Sequence, residues 1–202
     1  VEHDAKIGND SVLHPGVVVG YNCEIGNNCI IKANSVIGSE GFGFAQDEKR
    51  KSHRIPQTGR VIIEARVALG ALNTVDRAAY NVTRVGAGCV FDNMNHVAHN
   101  VDMGEDCIAV AMSGVAGSTK VGDRVILGGQ IAILDHLNIA SDAVFVQRAG
   151  VDHDVNEPGV YAGLPLQPIA DYMRTKAIVK KLPELHKTIK RLNKIIDSSE
   201  KG

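Results

Sequence analysis

The chain has 202 residues and a net charge of -1 at pH 7, which suits one sizeable domain and lacks the basic excess that would draw it to nucleic acid or acidic lipid. Four cysteines do not make a disulfide scaffold, and no apolar run approaches the ~18 residues of a membrane span, so membrane contact is peripheral at most. Aromatic residues make up only 4% of the chain, Trp is absent and Gly reaches 21, a composition that excludes an ordinary aromatic-centred core and favours small, evenly repeated units.

The repeat is visible from the first residues. Ile7, Leu13, Val19, Ile25, Ile31 and Ile37 stand six apart, and the walk resumes from Val85 through Phe91, Val97, Met103, Ala109, Val115, Val121, Leu127, Ile133, Ile139, Phe145 and Val151. A shorter set runs through Ile63, Leu69 and Val75. A period of six fits neither an α-helix nor simple strand alternation and reads as a parallel β-helix of hexapeptide repeats. Three hexads close a coil of eighteen residues. Its apolar leaders point inward, and coils stack at ~4.8 Å like paired strands. Gly often follows the leader, as at Gly8, Gly20, Gly26, Gly70 and Gly104, and is expected to ease the corner turn. Cys23, Cys29, Cys89 and Cys107 fall four places after a leader, in a slot that reads as small, inward-facing packing.

Two segments interrupt the walk. "SEGFGFAQDEKRKSHRIPQTGR", residues 39–60, reads as a loop thrown out of the prism, and a four-residue slip surrounds "RAAYNVTR" at 77–84. The β-helix is expected over 1–156 and a Pro/Gly connector over 157–168. A C-terminal α-helical extension over 169–202 follows, broken in two by Pro183. The extension carries Lys180, Lys181, Lys190 and Arg191, a positive face suited to an acidic partner.

If residues eighteen apart lie on top of one another, His99, Gly117, Asp135 and His153 form one file, with His136 one place off it. An imidazole above a bare glycine amide suits acyl transfer: the ring takes a proton and the N–H meets a developing oxyanion. His96 and His99 in "HVAH" do not read as a metal pair, because a three-residue step along a strand sends side chains to opposite faces. No nucleophilic serine elbow or phosphate-binding glycine loop appears, and "GFGF" lacks the strand–turn–helix setting of a dinucleotide site.

The segments "GFGFA", "IPQTGRVII", "NTVDRAA", "FDNMNHVAHNV", "AGVAGSTKVGD", "GGQ" and "EPGVYAGLPLQP", in this order over almost the whole chain, resemble the bacterial UDP-3-O-(3-hydroxyacyl)glucosamine N-acyltransferases of lipid A biosynthesis. The resemblance implies an all-β solenoid, a left-handed parallel β-helix assembled as a cytoplasmic homotrimer with sites between neighbouring prisms. It implies that acyl carrier protein delivers a 3-hydroxyacyl chain, on its phosphopantetheine, to the 2-amino group of a UDP-linked glucosamine, with no further cofactor and no metal. By position, His99 is the general base, the Gly117 amide the oxyanion donor, and His136 and Asp92 supporting residues. His96, Asn100 and Phe42 are expected on the substrate side. The basic residues Lys180, Lys181, Lys190 and Arg191 are expected to dock the carrier protein. The family's N-terminal uridine-binding domain has no counterpart in these residues. His96 stands where Gln is common, and Glu64 replaces a usual corner Gly. Two other functions fit a bare hexapeptide prism: a CoA-dependent acyl- or acetyltransferase acting on a nucleotide sugar, and a non-catalytic trimeric scaffold.

Overall fold

In the computed structural model, which describes residues 1–163 and 169–199, the hexads form three parallel sheets of seven, eight and seven strands. Each sheet is one face of a triangular prism. The first face contains Lys6–Ile7, Glu24–Ile25, Arg60–Ile63 and Val82–Val85, the second Val12–Leu13, Ala68–Leu69 and Val90–Phe91, and the third Val36–Glu40, Thr74–Arg77 and His96–Val97. Register follows the eighteen-residue step: His96 pairs with Gly114, Gly114 with Ala132 and Ala132 with Gly150. The step widens to thirty-eight at Glu24 and Ile62, and to twenty-two at Ala68 and Val90, where the two interruptions fall. Leaders from Val19 onward are buried in one continuous core together with all four cysteines, which are free.

The corners differ from the sequence expectation. The left-handed residue lies three places after most leaders: Asp10, Asn28, Arg66, Leu72, Asn100 and His136 all have φ between 58° and 61°. Among the described residues, no Val, Ile or Thr occupies a positive-φ position, as the crowding of a branched Cβ requires. The glycine directly after the leader usually serves a different purpose. A Cβ on Gly8 would lie 2.5 Å from the Gly26 carbonyl carbon, and one on Gly70 would lie 2.6 Å from that of Asp92. These glycines permit one coil to rest on the next. Glu64, at such a position, instead turns its carboxylate outward: it accepts from Arg84 Nε at 2.7 Å and caps the Ala87 N–H at 3.1 Å.

The 39–60 insertion is more ordered than a loop. Phe44–Gln46 and Ser52–Arg54 form an antiparallel hairpin. Asp47 Oδ1 closes its turn by accepting from the Lys49 and Lys51 N–H groups, both at 2.9 Å. The neck of the hairpin is held by Arg77, a fully buried cation that donates to the carbonyls of Gly38 at 2.9 Å, Gly59 at 3.1 Å and Tyr21 at 3.2 Å. Its guanidinium lies 3.6 Å above the centre of the Tyr21 ring. Replacing Arg77 with Met orphans the buried carbonyls of Gly38 and Gly59 and the part-buried one of Tyr21, so we expect a loss of about 3 kcal/mol or more. Thermal unfolding checks the loss, and faster proteolysis at residues 47–51 checks the freed hairpin.

The prism continues into the expected connector. Gly159–Tyr161 adds a strand beside Ala143–Phe145, and Tyr161 stacks on Phe145 at 5.6 Å. Residues 164–168 of the connector and 200–202 of the expected extension lie outside the described residues. The second compact unit, Pro165–Gly202, contains one helix, α1, over Ile169–Ser199, with Pro183 inside it. The expected break at Pro183 does not occur. Proline removes one backbone donor and crowds the preceding turn, and here a helix of 31 residues runs through that local defect.

Candidate active site

The candidate residues gather at the corner where the third face turns into the first. His96–Val97 is a strand of two residues, and Ala98, His99 and Asn100 make the turn. One coil on, the Ser118 N–H donates to the His99 carbonyl, and another coil on, the His136 N–H donates to the Gly117 carbonyl, both at 3.0 Å. The turn corrects the reading of the two histidines. Strand alternation ends at Val97, so His96 and His99 both lie outside the apolar core.

The His99 ring rests between two glycines. A Cβ on Gly117 would lie 2.6 Å from its Cε1 and 2.8 Å from its Nε2, and a Cβ on Gly41, in the hairpin neck, would lie 2.8 Å from its Cβ. Gly117 is outside the left-handed region, so it is glycine for room rather than for φ. Gly43 serves the hairpin in the same way: its Cβ would lie 2.5 Å from Nε2 of the buried Gln57. "GFGF" is thus a packing device.

Asn100 fixes the tautomer of His99. Its Nδ2 donates to the Tyr80 carbonyl at 3.0 Å, and its Oδ1 accepts from the Ala79 N–H at 3.0 Å and faces His99 Nδ1 at 3.2 Å. Beside an acceptor, a neutral imidazole carries its proton on Nδ1. We assign that tautomer, which leaves the Nε2 lone pair bare next to Gly117. The Gly117 amide is open as well. Equivalent corner amides are capped by a side chain one coil up, Asn9 by Asn27 Oδ1 at 2.7 Å, Ala71 by Asn93 Oδ1 at 2.8 Å and Glu105 by Asp123 Oδ1 at 2.9 Å. Among the described residues, no such cap reaches the Gly117 N–H. A bare imidazole nitrogen and an unpaired N–H at one corner are the two groups that acyl transfer needs.

Asp76 completes the cluster and was not legible as a site residue. It lies in Thr74–Arg77, just past a register shift after Val75, where it pairs with Ser39 and is buried along with Val75 and Arg77. Its carboxylate is nearly buried, accepts from Ser39 Oγ at 2.6 Å and lies 3.6 Å from His96 Nε2. Burial pushes its carboxyl above the usual carboxylate range, while the Ser39 hydrogen bond and the charges of His96 and His99 pull it back. Thr74 Oγ1 meets His96 Nδ1 at 2.8 Å. The only signal in the sequence is the charged "DR" pair directly after the leader Val75.

Other expected residues are placed differently. His136 is at the same corner but exposed, 3.8 Å from Asp135. Asp92 follows the strand Val90–Phe91, so it turns the corner between the second and third faces, away from His99, and accepts from Asn93 Nδ2 at 2.9 Å. Phe42 is 85% exposed and tilts onto Phe44 at 5.1 Å, one residue from the Gly41 that touches His99. Lys180, Lys181, Lys190 and Arg191 are exposed on α1. Among the described residues, no group of three His, Cys, Asp or Glu side chains is placed to hold a metal ion.

Residues 4–39 match the family model "Bacterial transferase hexapeptide (six repeats)". The UDP-3-O-acylglucosamine N-acyltransferase of Methylococcus capsulatus is 49% identical over 178 residues, 88% of this chain and 50% of that protein. The enzyme of the same name from Anaeromyxobacter sp. is 39% identical over 98% of this chain and 58% of its own length. Over the residues it spans, the chain is similar to UDP-3-O-acylglucosamine N-acyltransferases and carries the hexapeptide repeats of bacterial transferases. It spans about half the length of these relatives. Among solved structures, the UDP-N-acetylglucosamine O-acyltransferase of Moraxella catarrhalis superposes with a TM-score of 0.66 at 21% identity, over 92% of this chain and 80% of that one. LpxA from Acinetobacter baumannii gives a TM-score of 0.65 at 24% identity, over 86% and 71%. At that identity the likeness describes the fold alone.

Proposed function

We propose that this chain is the acyl-transfer part of a UDP-3-O-acylglucosamine N-acyltransferase, moving a 3-hydroxyacyl chain from acyl carrier protein to the 2-amino group of the UDP-linked sugar in lipid A biosynthesis. The observation that carries the reading is the bare Nε2 of His99 beside the open Gly117 N–H. The acceptor amine attacks the thioester carbonyl, and its proton passes to His99 Nε2. The oxyanion gathers at the Gly117 N–H, the C–S bond breaks, and the proton leaves with the thiolate. Donation of Nδ1–H to Asn100 holds the ring while it is protonated.

A homotrimer belongs to the same proposal. The outward side chains of the second face are apolar at Val12, Ile30, Val90, Ile108 and Val160, all exposed. The third face is small at Gly114, Ala132 and Gly150, and a Cβ on Gly114 or Gly150 would meet nothing within 4 Å. Leu72, Met94 and Met112 are exposed between the two faces at positive φ. Packing the bulky face of one prism on the small face of the next covers this surface, leaves the charged first face in water, and puts His99 at the rim of the seam.

Donor choice tests the reading. In single-turnover assays with the UDP-3-O-acylated amino sugar, we expect acylation from 3-hydroxyacyl carrier protein. Equal use of the CoA thioester would favour the CoA-dependent transferase, and no transfer from either would favour a scaffold. Reversing Lys180, Lys181, Lys190 and Arg191 to Glu is expected to raise the KM for the carrier-bound donor about tenfold, and added salt to do the same to the parent protein. An unchanged KM in both experiments returns α1 to a structural role.

A further inference from the structure

The cluster around Asp76 has a division of labour that the acyl-transfer reading does not supply. His96 Nε2 lies 3.6 Å from the carboxylate, and His99 stands on the turn that follows the His96–Val97 strand. The carboxylate comes from the neighbouring coil: Thr74 pairs with His96 and Val75 with Val97, which sets Asp76 beside the turn that carries His99. Ser39, from the strand on the other side, anchors one carboxylate oxygen at 2.6 Å, and the second oxygen is the one near His96. The remaining charges close to this group are engaged elsewhere. Arg77 points inward and donates to three carbonyls, and Glu40, next to Ser39, pairs with Arg54 of the hairpin.

A nearly buried carboxylate is costly unless cations or donors face it. Here the Ser39 hydroxyl and the His96 imidazole do so, with His99 on the adjoining turn. His96 has a defined orientation: Thr74 occupies its Nδ1 at 2.8 Å, which turns Nε2 toward Asp76. His99 has its Nδ1 on Asn100, and the pairing of Val75 with Val97 runs Asp76 alongside the turn that carries it. Ser39 begins the hairpin whose Gly41 packs on His99, so the anchor of the carboxylate and the wall of the base belong to one segment.

We propose that Asp76 is the positioning residue of this site: held by Ser39, its carboxylate orients His96 at the mouth and stabilises the imidazolium formed when His99 takes the acceptor's proton. The proposal rests on the acyl-transfer reading for its kinetic consequence but not for its electrostatic one, and the two are measured separately.

The electrostatic test follows the Asp76 carboxyl carbon by NMR through a pH titration of the whole protein. Each imidazole favours the ionised carboxylate, so removing one raises the midpoint. His99→Ala and His96→Gln are each expected to raise it, by about one unit. Both altered side chains lie outside the core, which keeps the fold available for the measurement. A midpoint unmoved in both variants overturns the proposal whatever the enzyme's activity. The kinetic test uses Asp76→Asn, which keeps the shape and an acceptor for Ser39. The single-turnover rate should fall about tenfold, and the acid limb of the kcat/KM profile should move to lower pH by about one unit. A purely structural Asp76 would lower thermal stability and leave that limb in place, and an unmoved limb overturns the proposal. If the midpoint moves but His99→Ala retains full turnover, the acyl-transfer reading fails instead.

Discussion

Replacing His99 with alanine is expected to lower the single-turnover rate of acyl transfer by about 10²- to 10⁴-fold, the usual contribution of a positioned general base. The fold should survive, because His99 is only half-buried and stands outside the leader core. The acid limb of the pH profile should vanish with the ring, since it reports protonation of the base. Far-ultraviolet circular dichroism and thermal unfolding close to those of the parent would separate lost chemistry from lost structure. Near-normal turnover with an intact fold would remove His99 from the mechanism.

Gly117→Ala should be nearly as damaging for a different reason. The glycine is outside the left-handed region, so alanine adds no backbone strain. The new methyl would fall 2.6 Å from His99 Cε1 and 2.8 Å from Nε2, well inside contact distance. The ring is the free end of a side chain and can swing aside, so the cost to stability is small, about 1 kcal/mol or less. The cost to catalysis is large, because a displacement of ~1 Å loses about 10²-fold. The variant should therefore melt near the parent temperature and turn over at about one hundredth of its rate. Parent-like turnover would mean that the imidazole does not work from where it lies.

Much of this was legible in the sequence because the hexad fixes geometry twice. It names the inward residues, and it makes eighteen positions equal one coil, so His99, Gly117 and His136 could be set at one corner before any coordinates. The same arithmetic, applied with care, separates Asp92 from that corner: it stands seven residues before His99 and so follows the second face. Asp76 and Arg77 were hidden because the period predicts coils and not what an insertion packs against. Their roles depend on the hairpin neck at Ser39, Gly38 and Gly59, and a twenty-two-residue stretch read as a loop gives no contact of that kind. Asn100 was expected on the substrate side from the family resemblance, carried over by position. The hydrogen bonds from Ala79 and to Tyr80 come from the four-residue slip, whose path the repeat does not specify. Pro183 was misjudged because a local rule for breaking helices does not weigh the rest of a long helix.

The juxtaposition itself is tested most directly by single-turnover rates of four proteins: the parent, His99→Ala, Gly117→Ala and the double variant. If the added methyl acts by displacing the imidazole, it has little left to displace once the ring is gone, and the double variant should be about as slow as His99→Ala alone. Two losses that multiply in full would show that the residues act at separate places, and the account of this corner would be wrong.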